Sequence, residues 1–198
     1  MSGQSGIRLV LGSGSPRRAQ LLRQLHIEFD QIVSSQAEPA VTDENPGEQA
    51  VRCAQVKARA VRELLGPSAG EQAIVIGADT MVVVDGRILG KPTDTADAQA
   101  MLRLLSGRSH TVCTGVCLLG PGVLEQTDCV STEVWMKPLT AEEIETYAAS
   151  GELMDKAGAY AIQGLGARFV ERISGCYYNV VGLPLARLTA MLSEAGYS

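Results

Sequence analysis

Apolar and polar positions along this chain switch repeatedly between a period of two and a period near 3.6, and the switches mark its elements. Residues 7–11 are a short apolar run that ends in Gly12-Ser13-Gly14-Ser15-Pro16. The pattern predicts a buried strand, a tight loop and a helix from about 16 to 25, with Ser15 as N-cap and Pro16 at the first helical position. Residues 29–33 predict a second strand. Asn45-Pro46-Gly47-Glu48 opens a long helix, with Asn45 as cap, Glu48 three residues on and Gly66 as its stop. Residues 73–76 and 81–84 are β-branched runs, predicted as separate strands with Gly77-Ala78-Asp79-Thr80 between them. Asp85-Gly86 reads as a hairpin turn into 87–89. A helix over about 94–105 stops at Ser106-Gly107. Strands over 111–119 and 123–136 follow, joined by Gly120-Pro121-Gly122. Thr140 and Glu143 form a capping box for a helix to about 149. Short strands are predicted at 160–162 and 168–173, and a C-terminal helix from near Leu183-Pro184 to before Gly196. Interleaved strands and helices predict an α/β fold with a mixed sheet.

Composition narrows the class. The chain has 198 residues, 45% apolar and 20% charged, enough for one sizeable core and too few for two ordinary domains with a linker. One domain over 1–198 is therefore expected. The net charge is 17 − 22 = −5. An acidic chain is a poor non-specific binder of nucleic acid or of an anionic membrane. Five cysteines without a C-x-x-C pair, and only His26 and His110, disfavour a zinc site or a disulfide framework and suit a reducing cytosol. Residues 1–6 are small and polar, unlike a signal peptide. No run approaches the ~20 apolar residues that span a bilayer. A soluble cytoplasmic protein with no nucleic-acid or membrane partner is expected. Its oligomeric state, a homodimer included, is left open.

Five segments carry candidate chemistry. Ser13-Gly14-Ser15-Pro16-Arg17-Arg18 joins a Gly/Ser loop, a helix N-terminus and two arginines. Backbone N–H groups, the helix dipole and forked guanidiniums all favour phosphate, although an ordinary capped helix with solvated arginines reads the same way. On the long helix, Glu48, Arg52, Gln55, Arg59 and Arg62 share a polar face, whereas Lys57 falls among Cys53, Ala54, Ala60, Val61 and Leu64. A lysine there needs a partner or a watery cleft, unless it snorkels from the core edge. Asp79 stands between two β-rich runs, either as a metal ligand or base, or as a turn residue capping its own backbone. Gly90-Lys91-Pro92 is not a Walker A loop, because Pro92 stands where Ser or Thr is required and residue 85 is Asp. Ser150-Gly151-Glu152 through Gln163-Gly164 is a polar loop rich in small residues, and Gln163 has the donor and acceptor that can read a base edge.

Other sites are missing. Gly12 and Gly14 are followed by Arg17 where a dinucleotide loop needs a third glycine, and no G-x-S-x-G elbow occurs. His110 reads as a structural hydrogen-bonder, and Cys113 and Cys117, of one strand parity, as core. Pooled, Arg17, Arg18, Lys57, Lys91 and Lys156 with Glu38, Asp79, Glu152 and Asp155 suggest a polyphosphate pocket with a metal.

In this order, Gly12-Ser-Gly-Ser-Pro-Arg-Arg18, Lys57-Ala58, Gly77-Ala-Asp-Thr80, Gly90-Lys-Pro92, Leu105-Ser-Gly107 with His110, Asp155-Lys-Ala-Gly-Ala-Tyr-Ala-Ile-Gln-Gly164 and Asn179-Val-Val-Gly-Leu-Pro184 resemble the Maf proteins, nucleoside triphosphate pyrophosphatases. The likeness covers about 8–192. It implies an elongated, ITPase-like α/β fold: a mixed sheet with flanking helices, two lobes and a central cleft. It implies hydrolysis of a nucleotide between its α and β phosphates, with Mg²⁺ or Mn²⁺. By position, Ser13, Arg17, Lys57 and Lys91 would grip phosphates, with Lys156 among the substrate contacts. Asp79 would activate water or hold metal, Glu38 would assist with the metal, and Arg18, Thr80 and Gln163 fall at positions tied to base choice. The 155–164 block resembles the branch acting on dTTP, UTP and modified pyrimidines. The chain departs at 34–38, Ser-Ser-Gln-Ala-Glu where Ser-Asp-Val-Asp-Glu is common, and at Leu153-Met154 where Pro is usual. A nucleotidyltransferase and a non-enzymatic nucleotide-binding regulator of cell division remain as alternatives.

Overall fold

A computed structural model describes residues 6–37, 39, 45–122 and 124–197. Strands β1 (Arg8–Leu11), β2 (Asp30–Gln31), β3 (Ala73–Val84), β4 (Arg87–Leu89), β5 (Ser109–Leu119), β6 (Glu125–Met136) and β7 (Val170–Ser174) alternate with helices α1 (Pro16–Gln24), α2 (Pro46–Gly70), α3 (Thr95–Leu105), α4 (Ala141–Ala149), α5 (Tyr177–Val181) and α6 (Leu185–Glu194). The strands form one sheet in the order β2-β1-β3-β5-β6-β7, with β4 paired to β3 off that path. β1 runs parallel to β2 and β3, while β4 is antiparallel to β3 and β7 to β6, so the sheet is mixed as expected.

The chain divides into two compact units. The first holds the residues up to Asp79, Thr114–Val130 and those from Gly182 on; the second holds Thr80–Cys113 and Ser131–Val181.

In the first unit β1 and the start of β3 are buried on both faces, the mark of strands covered on two sides. Val10, Ala73 and Val75 pack with Ala54, Ala58 and Val61 of α2 and with Cys117 and Leu119. By strand alternation, Leu9, Leu11, Ile74 and Ile76 are buried on the opposite face. Burial pushes the Cys117 thiol up to about 12, and a thiol held neutral is inert. All five cysteines are free. α2 lies unusually close to the sheet. A Cβ on Gly77 would overlap the Ala54 carbonyl oxygen, and one on Gly115 would overlap the Ala50 backbone. Small residues on both sides of this seam set the distance between helix and sheet.

The second unit has its own core. Val82, Val84 and Leu89 of the β3–β4 hairpin pack with Leu102, Leu105, Val134, Tyr147 and Phe169. Asp85 and Gly86 make the expected two-residue turn, both with positive φ (50° and 74°). The Thr140–Glu143 capping box forms as predicted. His110 is buried, and its Nε2 lies 2.6 Å from the Tyr160 hydroxyl. Burial lowers its pKa from 6.5 to about 4, so the folded protein carries a neutral imidazole.

Several expectations are corrected. Residues 73–84 are one strand, not two strands with a turn: Asp79 pairs with a lysine from α2 instead of capping its own backbone. The strand predicted at 29–33 shrinks to Asp30–Gln31. No strand forms at 160–162, because Gly158 and Ala159 both adopt positive φ and the chain enters 3₁₀ turns at Ala157–Ala159 and Gly164–Phe169. α2 breaks its helical path at Gly66 (φ 73°) but resumes through Pro67 to Gly70. Leu64, assigned to the apolar stripe, is 63% exposed. Asn45 caps α2 by accepting from the Gly47 N–H at 2.8 Å, and Ser15 makes no side-chain cap on α1.

Two outcomes follow from this packing. Gly77→Ala should destabilise the protein by about 1–3 kcal/mol, the range for overpacking a close seam, read as a lower urea midpoint with an unchanged m-value. His110 binds a proton more readily unfolded (6.5) than folded (about 4), so its contribution is present above pH 6.5 and is lost as pH falls toward 4. The loss amounts to roughly 3 kcal/mol. Urea midpoints of wild type and His110→Gln, compared from pH 7 to pH 4, should converge on acidification.

Candidate active site

In the first unit the site grows from the end of β1. The Gly12 N–H donates to the Ile76 carbonyl at 2.8 Å, which seats the Gly-Ser loop against β3. The Ser13 carbonyl accepts from Gln31 Nε2 at 2.7 Å, and the Ser13 hydroxyl oxygen accepts from the Ser15 N–H at 3.2 Å and from Arg18 Nη1 at 3.0 Å. Arg18 is only 8% exposed, and its Nε donates to the Gly182 carbonyl at 2.8 Å. Its guanidinium therefore ties α1, the loop and the segment before α6 together. Arg17 is half-buried on the first turn of α1. With no side-chain cap from Ser15, the first-turn N–H groups of α1 point their partial positive charge at the loop.

Lys57 and Asp79 meet across the small-residue seam. Lys57 Nζ donates to Asp79 Oδ1 at 2.5 Å, and the two side chains are 22% and 13% exposed. The lysine in the apolar stripe has found the carboxylate that its burial requires. The Gly-Ser loop adjoins the same turn of helix, for a Cβ on Gly12 would lie 3.6 Å from the Lys57 carbonyl oxygen. The first unit thus gathers Ser13, Arg18, Lys57 and Asp79 around one loop, one helix face and one strand.

In the second unit Thr80 follows Asp79 on β3 and is half-buried. Lys91 is exposed, and the loop that carries it is joined to the 155–158 loop by a bond from the Gly158 N–H to the Gly90 carbonyl at 3.0 Å. Lys156 is turned inward, its side chain 11% exposed. It pairs with Asp155 Oδ1 at 2.5 Å and donates to the Glu152 carbonyl. Gln163 is exposed and stands just before the 3₁₀ turn Gly164–Phe169, with no side-chain capping bond to it. Glu38 lies outside the described residues.

Among the described residues no group of three or more His, Cys, Asp and Glu side chains converges. Among the described residues of the first-unit site, Asp79 is the carboxylate placed beside the Gly-Ser loop. One or two carboxylates suit a Mg²⁺ held mainly by substrate phosphates and water, so Asp79 fits as a donor to a metal that arrives with a nucleotide. Sequence reasoning passed over Gln31, which anchors the Ser13 carbonyl from 18 residues away. No local pattern marks that role. Glu152 appeared in the polar loop and among the scattered carboxylates without a role of its own, yet its side chain accepts from Tyr147 and from the Leu165 N–H.

The chain matches the family model described as Maf-like protein over residues 8–195. It is 52% identical over 190 residues to the dTTP/UTP pyrophosphatase of Symbiobacterium thermophilum, covering 96% of this chain and 95% of that one. It is 49% identical over 187 residues to the dTTP/UTP pyrophosphatase of Vibrio vulnificus, covering 94% and 98%. Among solved structures, the Staphylococcus aureus Ham1 protein superposes with a TM-score of 0.52 at 15% identity, over 95% of this chain and 99% of that one. That likeness shows the fold, and the expected ITPase-like α/β class stands. A family match from residue 8 to residue 195, with relatives about half identical over almost the whole length, makes this chain a member of the Maf family.

Proposed function

We propose that this chain is a nucleoside triphosphate pyrophosphatase acting on dTTP, UTP and modified pyrimidine triphosphates, and that residues 1–198 work as one catalytic domain. The observation that carries the reading is the Lys57–Asp79 pair beside the Gly-Ser loop, at 2.5 Å. In hydrolysis a base must take a proton from water while cations offset the charge that builds on the leaving group. Asp79 can do the first, and its Oδ2 is the oxygen we assign to the water. Lys57 fixes Oδ1 and brings positive charge to the same spot. The water oxygen bonds to the α-phosphorus, its proton passes to Asp79, and the bridging oxygen leaves with pyrophosphate. Nucleoside monophosphate and pyrophosphate are the products.

Ser13, Arg17 and the first-turn N–H groups of α1 take the phosphates. Arg18 acts by holding Ser13, and Lys156 by holding its own loop. Lys91 adds phosphate charge, and Thr80 and Gln163 take part in base choice. Mg²⁺ or Mn²⁺ would be held by Asp79 with Glu38, and when bound it supplies charge neutralisation on the phosphates. The substrate is a free nucleotide rather than nucleic acid, in keeping with a net charge of −5. Among the described residues no helix is long and apolar enough to cross a membrane, and with five free thiols we place the protein in the cytosol.

The relatives' names favour hydrolysis over nucleotidyl transfer or binding alone. Incubation with dTTP and Mg²⁺, without any acceptor, should yield dTMP and pyrophosphate in equal amounts; tight binding without turnover would favour the regulator. Asp79→Asn should lower kcat by about 10²–10⁴-fold, the usual contribution of a general base, while dTTP binding by calorimetry changes little. Unchanged turnover in that variant would remove Asp79 as the base. Gln163→Ala should narrow the preference for dTTP over dCTP more than it slows dTTP turnover, and an unaltered preference would count against its reading role.

A further inference from the structure

We propose that Glu152 is a positioning residue for pyrimidine choice: its carboxylate clamps the backbone that carries Gln163. The inference rests on the reading that Gln163 senses the base.

Glu152 follows α4 and is half-buried. Its Oε2 accepts from the Leu165 N–H at 3.2 Å, and its Oε1 accepts from the Tyr147 hydroxyl at 3.4 Å. Its own carbonyl accepts from Lys156 Nζ. One residue therefore joins both ends of the 152–165 loop, by its main chain at one end and by its side chain at the other. Tyr147 is fully buried and meets Phe169 edge to face at 5.1 Å, so the core fixes where its hydroxyl stands. Phe169 closes the same 3₁₀ turn that Gln163 opens.

The sequence around the clamp is fitted to it. Gly164, next to Gln163, has φ 67°, and a Cβ there would lie 2.7 Å from Glu152 Oε1. A side chain at 164 would push the carboxylate off its N–H partner and strain the backbone. A Cβ on Gly166 would lie 2.8 Å from the Tyr147 hydroxyl. The carboxylate thus reaches Leu165 through a gap that only small residues leave. A hydrogen bond from a backbone N–H to an ionised acceptor is stronger than a neutral one. It restrains the chain two residues beyond Gln163, where freedom of the main chain would let the amide present donor or acceptor at will. Base discrimination by an amide depends on a fixed backbone, since both edges of the group can form bonds.

A role confined to folding would lower stability and slow every nucleotide alike. The test measures kcat and KM for dTTP, UTP, dCTP and CTP in wild type, Glu152→Ala, Glu152→Gln, Gln163→Ala and the Glu152→Ala/Gln163→Ala double variant, with the melting temperature of each. Glu152→Ala should raise KM for dTTP and UTP about tenfold with kcat within about threefold, and narrow the dTTP-to-dCTP ratio of kcat/KM. Glu152→Gln, which keeps one acceptor oxygen, should recover most of that ratio. The double variant should narrow the ratio no further than Gln163→Ala alone, because the clamp acts through Gln163. If Gln163→Ala narrows the ratio and Glu152→Ala does not, the clamp is overturned and the reading of Gln163 stands. An equal loss of kcat on all four nucleotides in Glu152→Ala overturns it as well. If Gln163→Ala leaves the ratio unaltered, the reading of Gln163 fails and the clamp fails with it. Should Glu152→Ala not fold, Tyr147→Phe, which removes only the hydroxyl, decides by the same ratio: a narrowing supports the clamp and no change overturns it.

Discussion

A charge taken out of water must meet its opposite, and the first unit is arranged around that demand. Lys57 sits on a helix face of alanines, and Asp79 sits in a strand that is buried along most of its length. Either group alone would cost several kcal/mol to bury. Together, at 2.5 Å, they become a polar point within an apolar seam. Strand alternation puts Asp79 on the same side of β3 as Ala73, Val75 and Gly77, the side that α2 covers. A slip of one residue would turn the carboxylate to the other face and leave the lysine alone. The glycine at 77 is part of the same constraint, because a larger residue there would hold α2 off the strand and stretch the pair apart. Fold and site therefore depend on one register.

The loops follow a second rule: they are fixed by the chain's own cations before any ligand is considered. Arg18 is spent on Ser13 and Gly182, and Lys156 on Glu152 and Asp155. Both stand among the substrate contacts expected from the sequence, and both also work in the fold as ties. Holding a binding loop in place beforehand reduces the entropy lost when a triphosphate binds.

Much of this was legible in the chain. The helices α1, α3, α4 and α6 were readable from their periodicity and caps, and the β3–β4 hairpin from Asp85-Gly86, because these are local signals. Lys57 was readable as a conflict between a charge and its apolar neighbours, and the conflict pointed to a partner without naming it. What escaped has a common cause. β3 looked like two strands, because Gly77 and Asp79 suit turns when judged alone, and only contact with α2, about 20 residues earlier in the chain, makes them strand residues. Residues 160–162 looked like a strand because Tyr160 and Ile162 alternate, yet the positive φ of Gly158 and Ala159 is imposed by packing against Val82 and the bond to Gly90. Propensity is local, and both errors were settled by distant contacts.

The same distinction separates the two kinds of motif residue in the second unit. A motif can hold residues that set geometry as well as residues that do chemistry. In the 155–164 block, Gly158 is there to let the loop lie on Val82, Lys156 to fasten it, and Gly164 to admit the Glu152 carboxylate. Gln163 is the member of that block that is exposed and whose amide carries both a donor and an acceptor. Most of the residues around it are small, buried or already bonded. On physical grounds the block thus holds one amide suited to reading a base and several residues that position it. The carboxylate that completes the arrangement stands outside the block, three residues before it, where a reading of motifs alone passes over it.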